Sequence, residues 1–224
     1  MKLYYDGAII EDFKALYELG IISGITTNLS FCKIAMDKNN TSYLDLLSSI
    51  HNEVSKYQNL SLSFQVFNTD INKMIDEALQ YNDLFSSNVD LKIKIPFSFK
   101  NCEVINKLIK SGVKVNATCV TSFLQGVVAA NMGCSYISFF WGKMTDEDIE
   151  PEKIISDFKS LLDKNSLNKT SKILVGSIRQ PQVIAQAYKC GADIVTTQIQ
   201  NFPKFLTQLK SEEANNLFQK DWNK

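Results

Sequence analysis

The chain has 224 residues, of which 45% are hydrophobic and 21% charged, a balance typical of a soluble globular protein with a sizeable core. Its 24 basic and 24 acidic residues give a formal net charge of zero, so neither nucleic acid nor an anionic membrane surface is expected as the main partner. A small anionic substrate needs only a local cationic pocket, so the zero net charge does not exclude a ligand of this class.

Eight short runs rich in β-branched and aromatic residues alternate with longer segments of helical periodicity. A helix is predicted to begin near Pro151, because proline suits the first turn, and another is predicted to run from Gln180-Pro181 to about Cys190-Gly191. Apolar residues at helical spacing predict two more helices over residues 71–84 and 104–109. The runs themselves predict buried strands over residues 2–6, 22–26, 62–67, 91–95, 114–119, 136–141, 172–177 and 193–197.

Eight strands alternating with helices in a chain of this length favour an α/β fold, a (β/α)8 barrel that forms a single domain over residues 1–224. The main alternative is an open doubly wound sheet. Its GxGxxG turn is absent after the first strand, where Asp6-Gly7-Ala8-Ile9 stands. Residues 212–224 are predicted to form a C-terminal helix or tail outside the barrel repeat, with Trp222 packed on a neighbouring surface.

The five cysteines lie without a CxxC pair, and His51 is the single histidine. We therefore expect no metal site, and an odd, scattered set of cysteines favours a reducing cytoplasm. The N-terminal residues lack the apolar core of a signal peptide, and no apolar run is long enough to span a membrane, so a cytoplasmic protein without a membrane partner is expected. Cys119 is interpreted as a buried small residue and His51 as structural or exposed.

Polar residues at the ends of the predicted strands are the candidate site residues, because active sites of (β/α)8 barrels lie at the C-terminal ends of the strands. These residues are Asp6, Thr26, Thr27, Asn28, Gln65, Lys94, Asn116, Thr118, Ser138, Phe140, Lys143, Ser177 and Arg179.

Lys94 has the most distinctive setting, because Ile93 and Ile95 flank it within the predicted fourth strand. A lysine that points into the barrel would lose stability in its ammonium form, and the neutral amine is the nucleophile that adds to a carbonyl. The competing interpretation is an alternating strand with a solvated lysine face. Lys92 shares that face, either one layer deeper or at the strand's start within reach of solvent.

The other candidates each have an ordinary structural interpretation. Asp6 could act as a general acid–base or form a turn before Gly7. The run Thr26-Thr27-Asn28 could bind sugar hydroxyls or cap the following helix.

A phosphate could be held by three residues that follow the sixth and seventh strands. Lys143, Ser177 and Arg179 together suit a phosphate, whereas each charge alone is more often a solvated surface residue.

Taken together, these segments resemble the small branch of the transaldolase and fructose-6-phosphate aldolase family, and the resemblance covers essentially the whole chain. The segments that carry it are Asp6, Gly24-Ile25-Thr26-Thr27-Asn28-Leu29-Ser30, Lys94-Ile95-Pro96, Asn116-Ala117-Thr118, Gln125-Gly126, Ser138-Phe139-Phe140-Trp141-Gly142-Lys143, Gly176-Ser177-Ile178-Arg179 and Asp221-Trp222.

The resemblance implies class I chemistry on sugar phosphates, in which Lys94 forms an imine with a ketose phosphate. Asp6 would take a proton from the hydroxyl on carbon 4, while Gln65 and Thr118 would hold a catalytic water. Because the protein's own imine is the electron sink, no cofactor or metal is implied. The substrate would be bound by the residues Thr26, Asn28, Asn116, Ser138 and Phe140, of which Asn28, Asn116 and Ser138 would bind the donor's hydroxyls. The phosphate would be bound by Lys143, Ser177 and Arg179.

Within that family, Phe140 favours a transaldolase, because the aldolase is expected to carry a tyrosine there. Asn116 and the pattern Ser138-x-Phe140-x-Gly142 agree with the transaldolase. Gln65 points to the aldolase, because transaldolases carry a glutamate at that position; glutamine can orient water but cannot accept its proton.

Three further positions depart from the family pattern. Lys143 stands in place of an arginine, Leu29 in place of a proline, and Lys92 adds a basic group near the nucleophile.

The sequence thus predicts a transaldolase of the pentose phosphate pathway, which would move dihydroxyacetone from sedoheptulose 7-phosphate to glyceraldehyde 3-phosphate and leave erythrose 4-phosphate and fructose 6-phosphate. The alternatives are a fructose-6-phosphate aldolase that releases free dihydroxyacetone and a non-catalytic sugar-phosphate-binding barrel. The resemblance also implies a ring-shaped homo-oligomer.

Overall fold

The protein folds as a closed barrel of eight parallel strands, each paired with the next along the chain, with the last paired with the first. The computed structural model describes residues 1–223, apart from the side chain of residue 168. The strands are β1 (Lys2–Asp6), β2 (Gly24–Thr26), β3 (Ser61–Gln65), β4 (Asp90–Pro96), β5 (Val115–Val120), β6 (Tyr136–Phe140), β7 (Lys172–Gly176) and β8 (Ile194–Thr197). The predicted (β/α)8 fold is confirmed.

Helices surround the barrel and connect successive strands. They are α1 (Ile10–Glu18), α2 (Leu29–Asn39), α3 (Tyr43–Val54), α4 (Ile71–Phe85), α5 (Cys102–Lys110), α6 (Phe123–Asn131), α7 (Trp141–Asp146), α8 (Pro151–Lys164), α9 (Gln182–Lys189), α10 (Asn201–Leu206) and α11 (Leu209–Trp222). The predicted start of a helix at Pro151 is confirmed, and the two helices predicted from apolar spacing lie at α4 and α5.

The main core lies between the barrel and its helices. Side chains alternate along each strand, so Ile93 and Ile95 of β4 are buried toward the helices, whereas Lys92 and Lys94 point into the barrel. On the helical side, Val104, Ile105 and Leu108 of α5 repeat at helical spacing and are fully buried. This packing makes the barrel a rigid support for the side chains at its upper rim.

Inside the barrel, the layer toward the N-terminal ends of the strands is built around Lys92. The Nζ atom of Lys92 donates to the Ser61 hydroxyl at 3.1 Å, pairs with Asp90, and lies 4.3 Å from the ring centroid of Tyr136. The Tyr136 and Tyr4 hydroxyls are 3.0 Å apart across the barrel. Of the two placements left open for Lys92, the deeper layer is the one observed. There Lys92 hydrogen-bonds and pairs with the polar side chains of that layer.

The C-terminal helix α11 begins at Leu209, three residues earlier than the tail predicted over 212–224, and Lys224 lies outside the described residues. None of the side chains of α11 is buried. Trp222 is 89% exposed, so the packing predicted for it is not made within the described chain.

Within residues 1–223, no helix is both long enough and apolar enough to cross a membrane.

Candidate active site

A cavity of about 530 Å³ opens at the C-terminal ends of the strands, a volume within the usual range of small-molecule sites. It is lined by polar side chains from most of the strands. The residues of the predicted site that line it are Asp6, Thr26, Asn28, Gln65, Lys94, Thr118, Ser138, Phe140 and Ser177. The barrel therefore gathers in one place side chains that lie up to 171 positions apart in sequence.

Lys94 is a buried lysine in this cavity. The residue is 5% exposed, and its Nζ atom donates to the backbone carbonyl of Thr27 at 2.6 Å. Burial lowers the pKa of the Lys94 amine, and the nearby carboxylate of Asp6 opposes that shift. The interpretation of a solvated lysine face is thereby excluded. A buried amine with a lowered pKa is the kind of group that can add to a carbonyl.

Asp6 lies across the cavity at the end of β1. The Thr26 hydroxyl donates to its Oδ1 atom at 2.7 Å and accepts a hydrogen bond from the Thr196 hydroxyl, also at 2.7 Å. Burial raises the pKa of the Asp6 carboxyl, while the charge of Lys94 and the hydrogen bond from Thr26 act in the opposite direction. A carboxyl with a raised pKa beside a lysine with a lowered one is a pair suited to proton exchange with a bound substrate.

Thr118 supplies an unused hydroxyl to the cavity. It is fully buried, and its Oγ1 atom is the one buried side-chain polar atom of the described residues that has no hydrogen-bond partner. A buried hydroxyl without a partner costs stability, so a water molecule or a substrate is expected to bind it. Gln65, from β3, lines the same cavity, and the Tyr43 hydroxyl donates to its backbone carbonyl at 2.6 Å.

Asn116 lies beneath the cavity rather than on its wall. The Ser138 hydroxyl donates to Asn116 Oδ1 at 2.6 Å, and Asn116 Nδ2 donates to the Ser63 hydroxyl at 3.3 Å. All three side chains are buried. Asn116 therefore does not line the cavity itself. It orients Ser138, which does.

Asn28 caps a helix and also lies on the cavity wall. Its Oδ1 atom accepts a hydrogen bond from the backbone N–H of Phe31 at 3.0 Å and so caps α2, and its side chain also lines the cavity. The cap fixes the side chain at the mouth without using its Nδ2 group in that bond.

The two cations of the predicted phosphate group lie outside the cavity. Both terminal nitrogens of Arg179 donate to the carboxylate of Asp146, each at 2.5 Å, and Lys143 Nζ is 3.8 Å from the same carboxylate. These side chains are largely exposed. Arg179 lines a neighbouring cleft, and Ser177 borders both that cleft and the cavity.

Cys119 is not the buried residue that the sequence suggested: it is exposed and lines the cavity. The reason is a local irregularity of β5, whose register with β6 shifts between Ala117 and Val120. Cys119 adopts a φ of 63°, and this left-handed conformation breaks the alternation that would have turned its side chain toward the helices.

Sequence reasoning missed Thr196, although the strand-end rule, applied to β8, would have found it. His51 is buried on α3, and its Nε2 atom lies 3.0 Å from the carbonyl of Ser87, which makes it structural. Among residues 1–223, no group of three or more His, Cys, Asp and Glu side chains is arranged to hold a metal ion.

Comparison with known proteins identifies related sequences over the full chain. The model of the family described as Transaldolase/Fructose-6-phosphate aldolase matches residues 3–224. A protein of Nitrosopumilus maritimus named "Probable transaldolase" is 31% identical over 227 residues, covering 100% of this chain and 96% of that protein. One of Desulfotalea psychrophila with the same name is 28% identical over 224 residues, covering 100% and 99%.

Solved structures agree in fold. A mutant flavocytochrome b2 with benzoylformate superposes with a TM-score of 0.62 at 13% identity, covering 89% of this chain and 57% of that one. At this identity the likeness concerns the barrel architecture alone.

Proposed function

Because the chain belongs to the transaldolase/fructose-6-phosphate aldolase family, we propose that it is a class I Schiff-base transaldolase. It transfers a dihydroxyacetone unit from sedoheptulose 7-phosphate to glyceraldehyde 3-phosphate, yielding erythrose 4-phosphate and fructose 6-phosphate in the cytoplasmic pentose phosphate pathway. The observation that carries the proposal is the buried Lys94 amine, whose pKa is lowered, in one cavity with the Asp6 carboxyl.

In this mechanism the Lys94 amine attacks the carbonyl at carbon 2 of the donor and forms a carbinolamine, which loses water to give a protonated imine. The imine accepts the electron pair of the bond between carbons 3 and 4 as that bond breaks. Asp6 accepts the proton of the hydroxyl on carbon 4, and the raised pKa of its carboxyl suits it to hold that proton. The aldehyde product leaves, and the three-carbon enamine attacks the acceptor aldehyde, whose new hydroxyl takes back the proton held by Asp6. Water then hydrolyses the resulting imine, which releases fructose 6-phosphate and restores the Lys94 amine.

The remaining cavity residues bind water and substrate. We assign the catalytic water to the unpartnered hydroxyl of Thr118 and to the side chain of Gln65. The substrate hydroxyls are bound by Thr26, Asn28 and Ser138 on the wall and by Asn116 through Ser138. Phe140 contacts the substrate with its apolar ring. The phosphate is bound at the rim by Ser177, Lys143 and Arg179.

A fructose-6-phosphate aldolase is the second candidate, and the observation that favours it is Gln65 on the cavity wall. In that reaction the enamine is protonated at carbon through the bound water, and a second water hydrolyses the resulting imine, which releases free dihydroxyacetone and restores the Lys94 amine. The two reactions share the Lys94 imine and differ only in the fate of the enamine.

The test is to trap the imine. The protein is incubated with fructose 6-phosphate and borohydride, digested, and mapped by mass spectrometry. We expect the reduced adduct on Lys94 and none on Lys92. Lys92 is also a lysine of β4, but Asp90 and Ser61 hold its amine in the lower layer. An adduct on Lys92 would overturn the site assignment.

The Lys94→Met variant is the matched control, and it should form no adduct. A wild-type protein that binds fructose 6-phosphate but forms no adduct would instead be a non-catalytic sugar-phosphate-binding barrel.

A further inference from the structure

Asp146 is a carboxylate that the proposed reaction does not use, yet it lies beside both cations assigned to the substrate phosphate and binds Arg179 directly. It ends α7, and its two oxygens accept hydrogen bonds from both terminal nitrogens of Arg179, each at 2.5 Å. Paired planar groups of this kind give the guanidinium a fixed orientation. The hydrogen bonds from Arg179 also lower the pKa of the Asp146 carboxyl, so the carboxylate is charged at neutral pH.

The Nε atom of the same guanidinium lies near Ser177. The position of a Cβ atom built on Gly142 would lie 2.9 Å from Arg179 Nε, 2.9 Å from the Ser177 hydroxyl and 2.7 Å from the Ser177 carbonyl. Nε and the hydroxyl therefore border the same small space, which stays open because residue 142 has no side chain. Since Ser177 also lines the catalytic cavity, this space adjoins the site where the substrate's phosphate would lie.

We propose that Asp146 is a positioning residue that orients Arg179 for the substrate phosphate. Asp146 occupies two of the five N–H donors of the guanidinium and leaves the Nε atom, which lies near Ser177, out of the pair. Without that carboxylate the long arginine side chain would sample many rotamers in solvent, because it is largely exposed. The inference rests on the proposed function, since it takes the phosphate site as its premise.

The opposite effect is also physically reasonable, and the two effects differ in sign. A carboxylate beside a phosphate repels it, so a competing role for Asp146 would make phosphate bind more tightly once the carboxylate is removed. A positioning role makes phosphate bind more weakly. The contacts favour positioning, because the carboxylate lies on the terminal nitrogens and leaves the edge beside Ser177 uncovered.

The experiment compares Asp146→Asn with Asp148→Asn. Both remove one negative charge from the same turn, and Asp148 makes no ion pair with Arg179 within residues 1–223. An exposed ion pair contributes little to folding, so both variants should fold. We expect Asp146→Asn to raise KM for fructose 6-phosphate about tenfold, the order of magnitude for restricting one long side chain, with kcat little changed. Asp148→Asn should behave as wild type.

Dihydroxyacetone carries no phosphate, so its trapping on Lys94 by borohydride should be unchanged in Asp146→Asn. Asp146→Glu, which keeps the carboxylate, should recover part of the lost affinity. An unchanged KM would show that Asp146 has no role in binding, and a lower KM would show that it competes with the phosphate; either result overturns the inference. Should the wild type trap no ketone at all, the proposed function fails, and calorimetry with inorganic phosphate still decides whether Asp146→Asn weakens phosphate binding.

Discussion

Phe140 presents a phenyl ring to the cavity at the point where β6 passes into α7. Thr118, which also lines the cavity, has a buried hydroxyl without a partner within the described residues. A water bound there can use Thr118 and Gln65, but a phenyl ring offers it no hydrogen bond. A water with few partners is poorly placed to protonate the enamine, which favours transfer to an aldehyde over release.

Phe140→Tyr should therefore increase the release of free dihydroxyacetone from fructose 6-phosphate relative to its transfer to glyceraldehyde 3-phosphate. General acid–base assistance is worth about 10²–10⁴-fold, and a partial restoration on the order of tenfold is expected. The measurement is the rate of both reactions with and without the acceptor. Gln65 makes the test informative, because the variant carries both the glutamine and the tyrosine of the aldolase pattern.

Phe67→Tyr is the matched control, because it makes the same chemical change at a half-exposed ring that does not line the cavity. It should alter neither rate. If the wild type already releases dihydroxyacetone as fast as it transfers it, and the tyrosine changes neither rate, Phe140 does not control the outcome and the transaldolase proposal fails.

Site residues could be predicted where the alternation of side chains along a regular strand alone decides whether a side chain points into the barrel. Lys94 and Thr118 point into the barrel because they occupy inward positions of regular strand segments, and the ends of parallel strands meet at one rim. Cys119 could not be predicted, because a positive φ at a cysteine leaves no mark in the sequence. The pairing of Arg179 with Asp146 joins residues 33 positions apart and depends on how α7 lies beside the loop after β7.

At the scale of helices and strands, the alternation of apolar runs with helical periodicity was sufficient to predict all eight strands. The boundaries differ by up to two residues, as at β2, which begins at Gly24 rather than at residue 22. Boundaries are harder to predict because they depend on pairing with neighbours: β2 pairs with β3 from Gly24 to Thr26 and with β1 at Ile25 and Thr26. The start of α11 at Leu209 could not be predicted from the sequence either, because none of its side chains is buried and its apolar pattern is weak.

Gly126 illustrates how closely a helix packs on the barrel. It is a buried residue of α6, and a Cβ atom at this position would lie 2.8 Å from Phe139 Cζ and 3.2 Å from Phe158 Cε2. The two rings are fully buried, with centroids 5.2 Å apart, so neither has room to move. Glycine here permits the close approach of α6, and this accounts physically for its place in the helix.

Gly126→Ala should destabilise the protein. Alanine is favoured over glycine in a helix by about 1 kcal/mol, but overpacking a rigid core costs about 1–3 kcal/mol, so we expect a net loss. Thermal unfolding followed by circular dichroism should show Tm lower by a few degrees, since about 1 kcal/mol corresponds to roughly 2–4 °C in a chain of this size.

The Val128→Ala variant, on the same helix and half-exposed, reports the propensity effect without the clash and should leave Tm nearly unchanged. A Gly126→Ala protein as stable as the wild type would show that α6 can shift outward, against the packing argument.

At the scale of the whole molecule, α11 leaves an apolar surface without a partner in the described chain. Leu209, Leu217, Phe218 and Trp222 are each more than half exposed, and no residue of this helix is buried. An isolated helix of 14 residues with so few buried contacts is marginal in water, and exposed aromatic residues on one element commonly mark an association surface. The family resemblance implies a ring-shaped homo-oligomer, and in such a ring α11 would pack on another copy of the chain.

Replacing Phe218 and Trp222 together by serine should therefore lower the oligomeric state without unfolding the barrel. Each apolar side chain buried in an interface contributes about 1.5–3 kcal/mol, so losing two weakens every contact in a ring and favours smaller species at micromolar concentration. Light scattering coupled to size exclusion measures the mass, and circular dichroism checks that the fold is kept. Gln219→Ser with Lys220→Ser alters the same helix at polar positions and should leave the assembly intact. A wild type that is monomeric at micromolar concentration would refute the oligomer, whereas an assembly that survives both the double serine variant and removal of the chain from Leu209 onward would show that the subunits associate through another surface.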